Sequence, residues 1–289
     1  MDDQQMREQW EIGGREREMS REEQLEQLAS YIYAHYEQPE KNPPWSDHPS
    51  DPAEADTYDA RLADRTTHAS MIMLGSAVDH SMPGTAFGVG ASMEPAPDGI
   101  DGQIIAPKKP SGVWGISLHP GGWWKGSGVA LEHAWRPDVA AVANLSGVTF
   151  LDLDYPLVPE HSLAQVGAAV QQAAAWIRET QAPKALVGWG YSSGGALAVL
   201  SGVHFERLAL TFPHLDLSML PDEVRGAAEF PQRIDADATL LQVASNDAIA
   251  GRYEWAEEQA QVKHYVSEHR LSTPEVARER VRDVAAFLG

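Results

Sequence analysis

The stretch from Ala185 to Leu200, ALVGWGYSSGGALAVL, constrains this chain more than any other. Ala185-Leu186-Val187 is a short apolar run of the buried-strand kind, Gly188 to Gly195 supplies small residues at a turn, and Ala196 to Leu200 has the composition of a helix start. Within it, Gly190-Tyr191-Ser192-Ser193-Gly194 forms a G-x-S-x-G pattern. A serine swung out on a sharp strand-to-helix turn sits in strained backbone, so small residues must flank it and let strand and helix approach. Ser192 would then stand at the end of a strand, with the amides of a helix N-terminus facing any negative charge that forms nearby. That is a nucleophile's position. The bare pattern arises by chance in long chains; the strand before it and the helix after it give it weight.

Composition removes several alternatives. The chain has 289 residues, 43% of them hydrophobic, which suits one large α/β domain or one domain with an added cap. Its formal net charge is −20 with no basic cluster, so its field repels nucleic-acid phosphates and anionic lipid surfaces. There are no cysteines, which excludes disulfides and thiolate metal sites. The start, MDDQQMREQWEIGGREREMS, is charged throughout and lacks the apolar core of a secretory signal, and no run of about 18 apolar residues follows. The expectation is a cytoplasmic protein without nucleic-acid or membrane partners.

Taken in order, Met1 to Met19 is polar and lacks an apolar face, as a mobile tail or a partner-stabilised helix would be. Ser20 and Glu23 then form a capping-box signature ahead of Leu25, Leu28, Ala29, Ile32 and Tyr36, spaced along one helix face. Glu37 to Asp51 is rich in proline and reads as a linker or ordered loop. Tyr58, Leu62 and the run from Ala69 to Val78 suggest one or two further helices, ending before Met82-Pro83-Gly84. Residues 1–95 thus read as a tail and helical cap region.

From residue 96 to 289, short apolar strands alternate with helices, the sign of a mostly parallel sheet with crossover helices. Strands are expected near Gln103 to Ala106, Val113 to Leu118, Val148 to Leu153, Ala185 to Trp189, Arg207 to Phe212, Thr239 to Ala244 and Val262 to Val266. The clearest helix runs from Leu163 to Glu179 behind Ser162, with Val166, Val170, Ala173 and Ile177 facing one way. At the last helix, Ser272 and Glu275 bracket Pro274, and Ala277, Val281, Val284 and Leu288 form the inner face.

The strand Val113 to Leu118 runs into His119-Pro120-Gly121-Gly122-Trp123-Trp124. Adjacent glycines at a strand's C-terminal end let backbone N–H groups turn into a cleft, which is how an oxyanion hole is built. The motifs HPGGWW and GYSSGG, with Asp154-Tyr155-Pro156-Leu157-Val158-Pro159-Glu160-His161 between them, make residues 100 to 289 resemble the hormone-sensitive-lipase-like branch of the α/β-hydrolases. The resemblance implies an α/β-hydrolase fold, a mostly parallel central sheet flanked by helices, hydrolysing esters through a serine beneath an N-terminal helical cap. Pro120 replaces the branch's usual first glycine, which leaves Gly121 and Gly122 as oxyanion donors beside the N–H of Ser193. Tyr191 stands where the branch often carries aspartate. The tryptophan-rich loop and the Leu163 helix also resemble arylformamidases.

In that fold the order along the chain is serine, acid, histidine. Asp247, in the loop after the strand Thr239 to Ala244, occupies the place of the family's acid; Asp216, after the preceding strand, competes. Only His264 and His269 lie beyond Asp247; loop placement favours His269 over the strand residue His264 as base. His119 and His161 read as loop anchors, and Glu160 as a structural residue at its turn. Trp123, Trp124 and Tyr191 either wall a substrate pocket or pack inward. The eleven histidines show no metal-ligand spacing, so neither a metal nor an organic cofactor is expected. The leading reading is a carboxylesterase acting on a small or medium acyl ester. The alternatives are an arylformamidase-like amide hydrolase, a non-catalytic ligand-binding hydrolase fold, and a hydrolase body whose N-terminal arm binds a partner. A homodimer is compatible with the sequence, which does not fix the oligomeric state.

Overall fold

The computed structural model describes residues 19–75 and 78–289. The stretch read as a tail therefore lies, but for Met19, outside the described residues, as do two positions of the Ala69 to Val78 run. Eight strands form one sheet: β1 (Ser92–Pro95), β2 (Gly102–Ala106), β3 (Trp114–Leu118), β4 (Thr149–Leu153), β5 (Leu186–Tyr191), β6 (Phe205–Thr211), β7 (Ala236–Ala244) and β8 (Gln261–Tyr265). Their spatial order is β1-β2-β4-β3-β5-β6-β7-β8. The first two pairings are antiparallel and the rest parallel. The seven expected strands are present. β1 was not expected, and it carries the sheet into the segment assigned to the helical region. Its sequence, SMEP, is exposed along its whole length, so no apolar alternation marks it. Backbone pairing with β2, from Ser92 opposite Ala106 to Pro95 opposite Gln103, defines it instead.

Side chains alternate between two cores across the parallel strands, as a sheet covered on both faces requires. Leu186 on β5, Leu208 and Leu210 on β6 and Leu241 on β7 face α6 (Leu163–Thr180) and α7 (Ser193–Leu200). Val187 and Trp189, Ala209 and Leu240 face α5 (Arg136–Ser146) and α10 (Pro274–Leu288). Trp189 is fully buried, and its indole N–H donates to Thr211 Oγ1 at 3.0 Å, which satisfies its polar atom within the core. α6 starts at a capping box of Ser162 and Gln165, and α10 at Thr273, whose side chain accepts from the N–H of Val276. Thr273 thus replaces Ser272 as the cap. Ser272 pairs instead with Ser267 in a short bridge that closes the loop before the helix.

The helices before β1 are α1 (Arg21–His35), α2 (Pro52–Ala60) and α3 (Leu62–Met73), followed by the short α4 (Pro83–Phe87). α1 opens at the expected capping box of Ser20 and Glu23 and buries Leu25, Leu28, Ala29 and Ile32. Polar contacts join this region to the loops at the carboxyl ends of the strands. Asp56 accepts the N–H of Ala130 at 3.0 Å, Trp45 Nε1 donates to the carbonyl of Met219 at 2.9 Å, and Tyr33 donates to Glu268. Asp59 takes both Lys41, at 2.6 Å, and Lys125. Among the described residues, no helix is long and apolar enough to cross a membrane.

One buried carboxylate ties several layers together. Asp152 on β4 accepts from Ser117 Oγ at 2.7 Å, Trp135 Nε1 at 2.8 Å and Arg136 Nε at 3.1 Å. Burial pushes its carboxyl up to about 6 against the pull of those donors. Its removal would leave the buried Arg136 guanidinium without its closest counter-charge. Asp152→Ala is therefore expected to cost about 3 kcal/mol in urea unfolding, the scale of a broken buried ion pair.

Candidate active site

Ser192 lies between the last residue of β5 and the first of α7, with φ 53° and ψ −118°. A non-glycine residue with positive φ is held there only if its surroundings fix it. Its N–H donates to the carbonyl of Thr211 at 3.0 Å, and its carbonyl accepts from His214 at 3.2 Å and Ala196 at 3.1 Å. The flanking glycines are required by contact rather than by their own torsions. A Cβ on Gly190 would lie 2.4 Å from the carbonyl oxygen of Gly194, and one on Gly194 would lie 2.2 Å from that of Leu118. The turn thus needs bare backbone on both sides of Ser192.

β7 and β8 deliver two further groups to the same edge of the sheet. His269 Nε2 is 2.8 Å from Ser192 Oγ, and His269 Nδ1 is 2.8 Å from Asp247 Oδ2. Both contacts are satisfied together when Nδ1 carries the ring proton and donates to the carboxylate, leaving Nε2 to accept from the serine. Asp247 Oδ1 accepts the N–H groups of Ile249 at 2.8 Å and Ala250 at 2.7 Å, so its second oxygen is turned toward the imidazole. Tyr191 donates its hydroxyl to the carbonyl of His269 and pins that loop from below. Burial lowers the His269 imidazole from its ordinary value, although Asp247 pulls it upward. Burial raises Asp247, but the His269 hydrogen bond, the imidazole's charge and the two backbone donors outweigh it and hold the carboxyl low. Asp216 is exposed and occupied by the N–H of Ser218, and His264 is exposed on β8. Neither joins this chain of hydrogen bonds.

The loop after β3 wraps around the serine. Gly121 has φ 154° and Gly122 φ 63°; a Cβ on Gly121 would lie 1.7 Å from the carbonyl oxygen of Lys125. Their N–H groups have no acceptor among the described residues. The N–H of Ser193, in the first turn of α7, has no acceptor within its own helix. His119 is fully buried, stacks on Tyr155 with ring centroids 4.1 Å apart, and donates Nδ1–H to the carbonyl of Pro120 at 2.8 Å. Burial holds its imidazole at about 4, and Tyr155 donates to the His119 carbonyl at 2.7 Å. His119 is therefore a loop anchor, as its sequence context suggests. His161 and Glu160 are exposed, and neither side chain is hydrogen-bonded among the described residues, so neither serves as the expected anchor.

Solved structures share this fold over most of the chain. An esterase/lipase from an uncultured bacterium is 16% identical with a TM-score of 0.63, covering 92% of this chain and 97% of its own. A hormone-sensitive lipase from a metagenome library is 16% identical with a TM-score of 0.54, covering 83% and 99%. A Pyrobaculum calidifontis esterase is 18% identical with a TM-score of 0.55, covering 80% and 92%. The chain has the α/β-hydrolase fold. No family model matches it, and no curated protein matches it by sequence. In an α/β-hydrolase, ligands sit at the carboxyl ends of the parallel strands, where Ser192, Asp247 and His269 lie here.

A cavity of about 690 Å³ opens over these residues. Ser192, His269, Gly121, Gly122, Trp123, Trp124 and Tyr191 all line it. Trp123 and Trp124 are also buried in the core, so each packs inward and presents part of its ring to the cavity. Sequence reasoning overlooked His214, whose N–H fixes Ser192, as well as Trp135, Lys125, Asp59 and Arg270 on the cavity wall. Position beside a motif could have flagged Lys125 and Arg270; Asp59 arrives from α2 through tertiary packing alone. At the rim, Val89, Met219 and Ile249 are exposed and apolar.

Two outcomes follow from the turn and the histidine. Gly194→Ala is expected to destabilise the α/β-hydrolase domain by about 2 kcal/mol or more in denaturant titrations, because its new methyl meets backbone oxygen. The His269 ring, followed by NMR, is expected to titrate below the ordinary imidazole range, because burial disfavours its charged form. Asp247→Asn should lower that midpoint further, since it removes the partner that raises it.

Proposed function

We propose that the protein is a serine carboxylesterase that cleaves small or medium acyl esters through an acyl-enzyme. The observation carrying this reading is the hydrogen-bonded series Ser192 Oγ, His269 Nε2, His269 Nδ1, Asp247 Oδ2, with 2.8 Å at each of its two links. Ser192 attacks the ester carbonyl carbon while His269 Nε2 takes the hydroxyl proton, and Asp247 holds the tautomer and stabilises the imidazolium. The free N–H groups of Gly121, Gly122 and Ser193 receive the oxyanion, each worth about 3 kcal/mol when aligned. His269 then returns its proton to the departing alcohol. A water deprotonated by the same imidazole attacks the acyl carbon and frees Ser192. None of these steps calls on a metal or organic cofactor.

The helices of residues 1–95 act in this reading as a cap over the cavity, with the apolar rim of Val89, Met219 and Ile249 receiving the substrate's carbon chain. The esterases and lipases among proteins of the same fold support ester cleavage over amide cleavage.

Hydrolysis rates for p-nitrophenyl esters from acetate to octanoate, measured beside N-formylkynurenine, test the proposal. Turnover of the short esters that falls about 10⁶-fold in Ser192→Ala and about 10⁴-fold in Asp247→Asn is the expected result. Preference for the formamide would shift the assignment to an amide hydrolase. Failure of a fluorophosphonate to label Ser192 would overturn the nucleophile itself. Because His269 works as its neutral form and burial lowers its pKa, kcat/KM should fall as pH drops through a midpoint below the ordinary imidazole range and stay flat above it until alkaline groups titrate.

A further inference from the structure

The cavity wall carries positive charge that ester hydrolysis alone does not use. The chain holds 42 acidic residues against 22 lysines and arginines, so a cation without a carboxylate partner stands out. Arg270 is such a cation. It follows His269 directly, lines the same cavity as Ser192, is exposed, and makes no hydrogen bond or ion pair among the described residues. Lys125, which lines the same cavity, extends from the loop after β3 with only 5% of its side chain exposed, and its ammonium meets Asp59. Asp59 is shared, since Lys41 binds its other oxygen at 2.6 Å.

The carboxylates facing this cluster are mostly committed. Asp59 serves two ammonium groups, Asp56 accepts the N–H of Ala130, and Asp247 is taken up by His269 and two backbone donors. Asp216 accepts from Ser218 and Asp138 meets Arg280 at 3.4 Å, which leaves Asp64 as the remaining acid on the cavity wall. Burial pushes Asp59 up, yet Lys125, Arg270 and Lys41 together hold it at about 2. The same field reaches the histidine, where Arg270 and Lys125 both oppose the imidazolium. A neutral ester gains nothing from an unpaired guanidinium at this spot. A carboxylate gains a planar fork of donors that matches its own two oxygens.

We propose that Arg270, backed by Lys125, is a specificity residue that receives a carboxylate on the ester substrate, making half-esters of dicarboxylic acids and carboxylated aryl esters the favoured class. This inference rests on Ser192 acting as the nucleophile. The long-range field of a −20 protein would otherwise slow the approach of an anion, and a local cationic anchor offsets that repulsion at the point of binding.

Two matched pairs test it: p-nitrophenyl hydrogen glutarate against p-nitrophenyl valerate, with the charge on the acyl side, and 3-acetoxybenzoate against phenyl acetate, with the charge on the leaving group. In at least one pair the wild-type protein should favour the anion in kcat/KM. That preference should fall about tenfold in Arg270→Gln, chiefly through KM, and return only in part in Arg270→Lys, which restores the charge without the planar fork. It should also shrink as salt rises. Charged-to-neutral ratios that are the same in wild type and Arg270→Gln would overturn the proposal. A parallel binding arm does not depend on turnover: benzoate and benzamide are titrated by tryptophan fluorescence into wild type, Arg270→Gln and Ser192→Ala. Benzoate binding that weakens about tenfold only in Arg270→Gln supports the subsite, and equal benzoate affinity in wild type and Arg270→Gln removes it. A wild-type protein inert toward every ester and toward fluorophosphonate sinks the nucleophile assignment, and the benzoate titration then decides the subsite by itself.

Discussion

The backbone of Ser192 is the constraint on which the rest of the site depends. A positive φ at a serine is costly, and it persists because β6 supplies an acceptor for its N–H while the segment after β6 supplies a donor for its carbonyl. The space for this turn comes from the two glycines, which let β5, α7 and the end of β3 approach to distances no side chain tolerates. The His269 ring, which meets the serine oxygen, and the loop glycines, which line the same cavity, are placed relative to this one residue. The surrounding parallel strands are buried on both faces, so they hold it rigidly.

Electrostatics at the site run against those of the protein as a whole. The chain is strongly acidic, yet the groups nearest the cavity include Lys125, Arg270 and Arg280 as well as uncommitted backbone N–H donors. Arg280 lies over the rings of Tyr191 and Phe212, 5.1 Å and 5.7 Å from their centroids, and within 3.4 Å of Asp138. The aromatic faces and this carboxylate offset part of the cost of burying the guanidinium, whose Nη1 has no hydrogen-bond partner among the described residues. In the proposed mechanism, negative charge developing beside Ser192 would meet backbone donors and these cations within the cavity.

Much of this was legible in the sequence, for identifiable reasons. Strands β3 to β7 announce themselves because a parallel strand covered on both faces must be apolar on both sides, and Ser162 with Gln165 or Ser20 with Glu23 mark helix starts through local hydrogen bonds. Asp247 and His269 were favoured as loop residues at strand ends, and both hydrogen bonds between the three residues are present. β1 was not legible, because its pairing rests on backbone groups and its side chains are all exposed. The choice of Thr273 over Ser272 as cap was equally hidden: either hydroxyl could start the helix, and the bridge from Ser267 to Ser272 settled the matter from outside it. Asp59 and His214 reach the site only through packing between segments far apart in the chain.

Lys125 belongs to two structures at once. Its carbonyl fills the space beside Gly121 that a side chain would need, while its ammonium is fastened to Asp59 on α2. The outer helices and the glycine loop are consequently not independent modules. Under the proposed mechanism, a change on α2 that reshapes the entrance is expected to shift the glycine loop as well, so that substrate range and turnover rate would be coupled through Lys125.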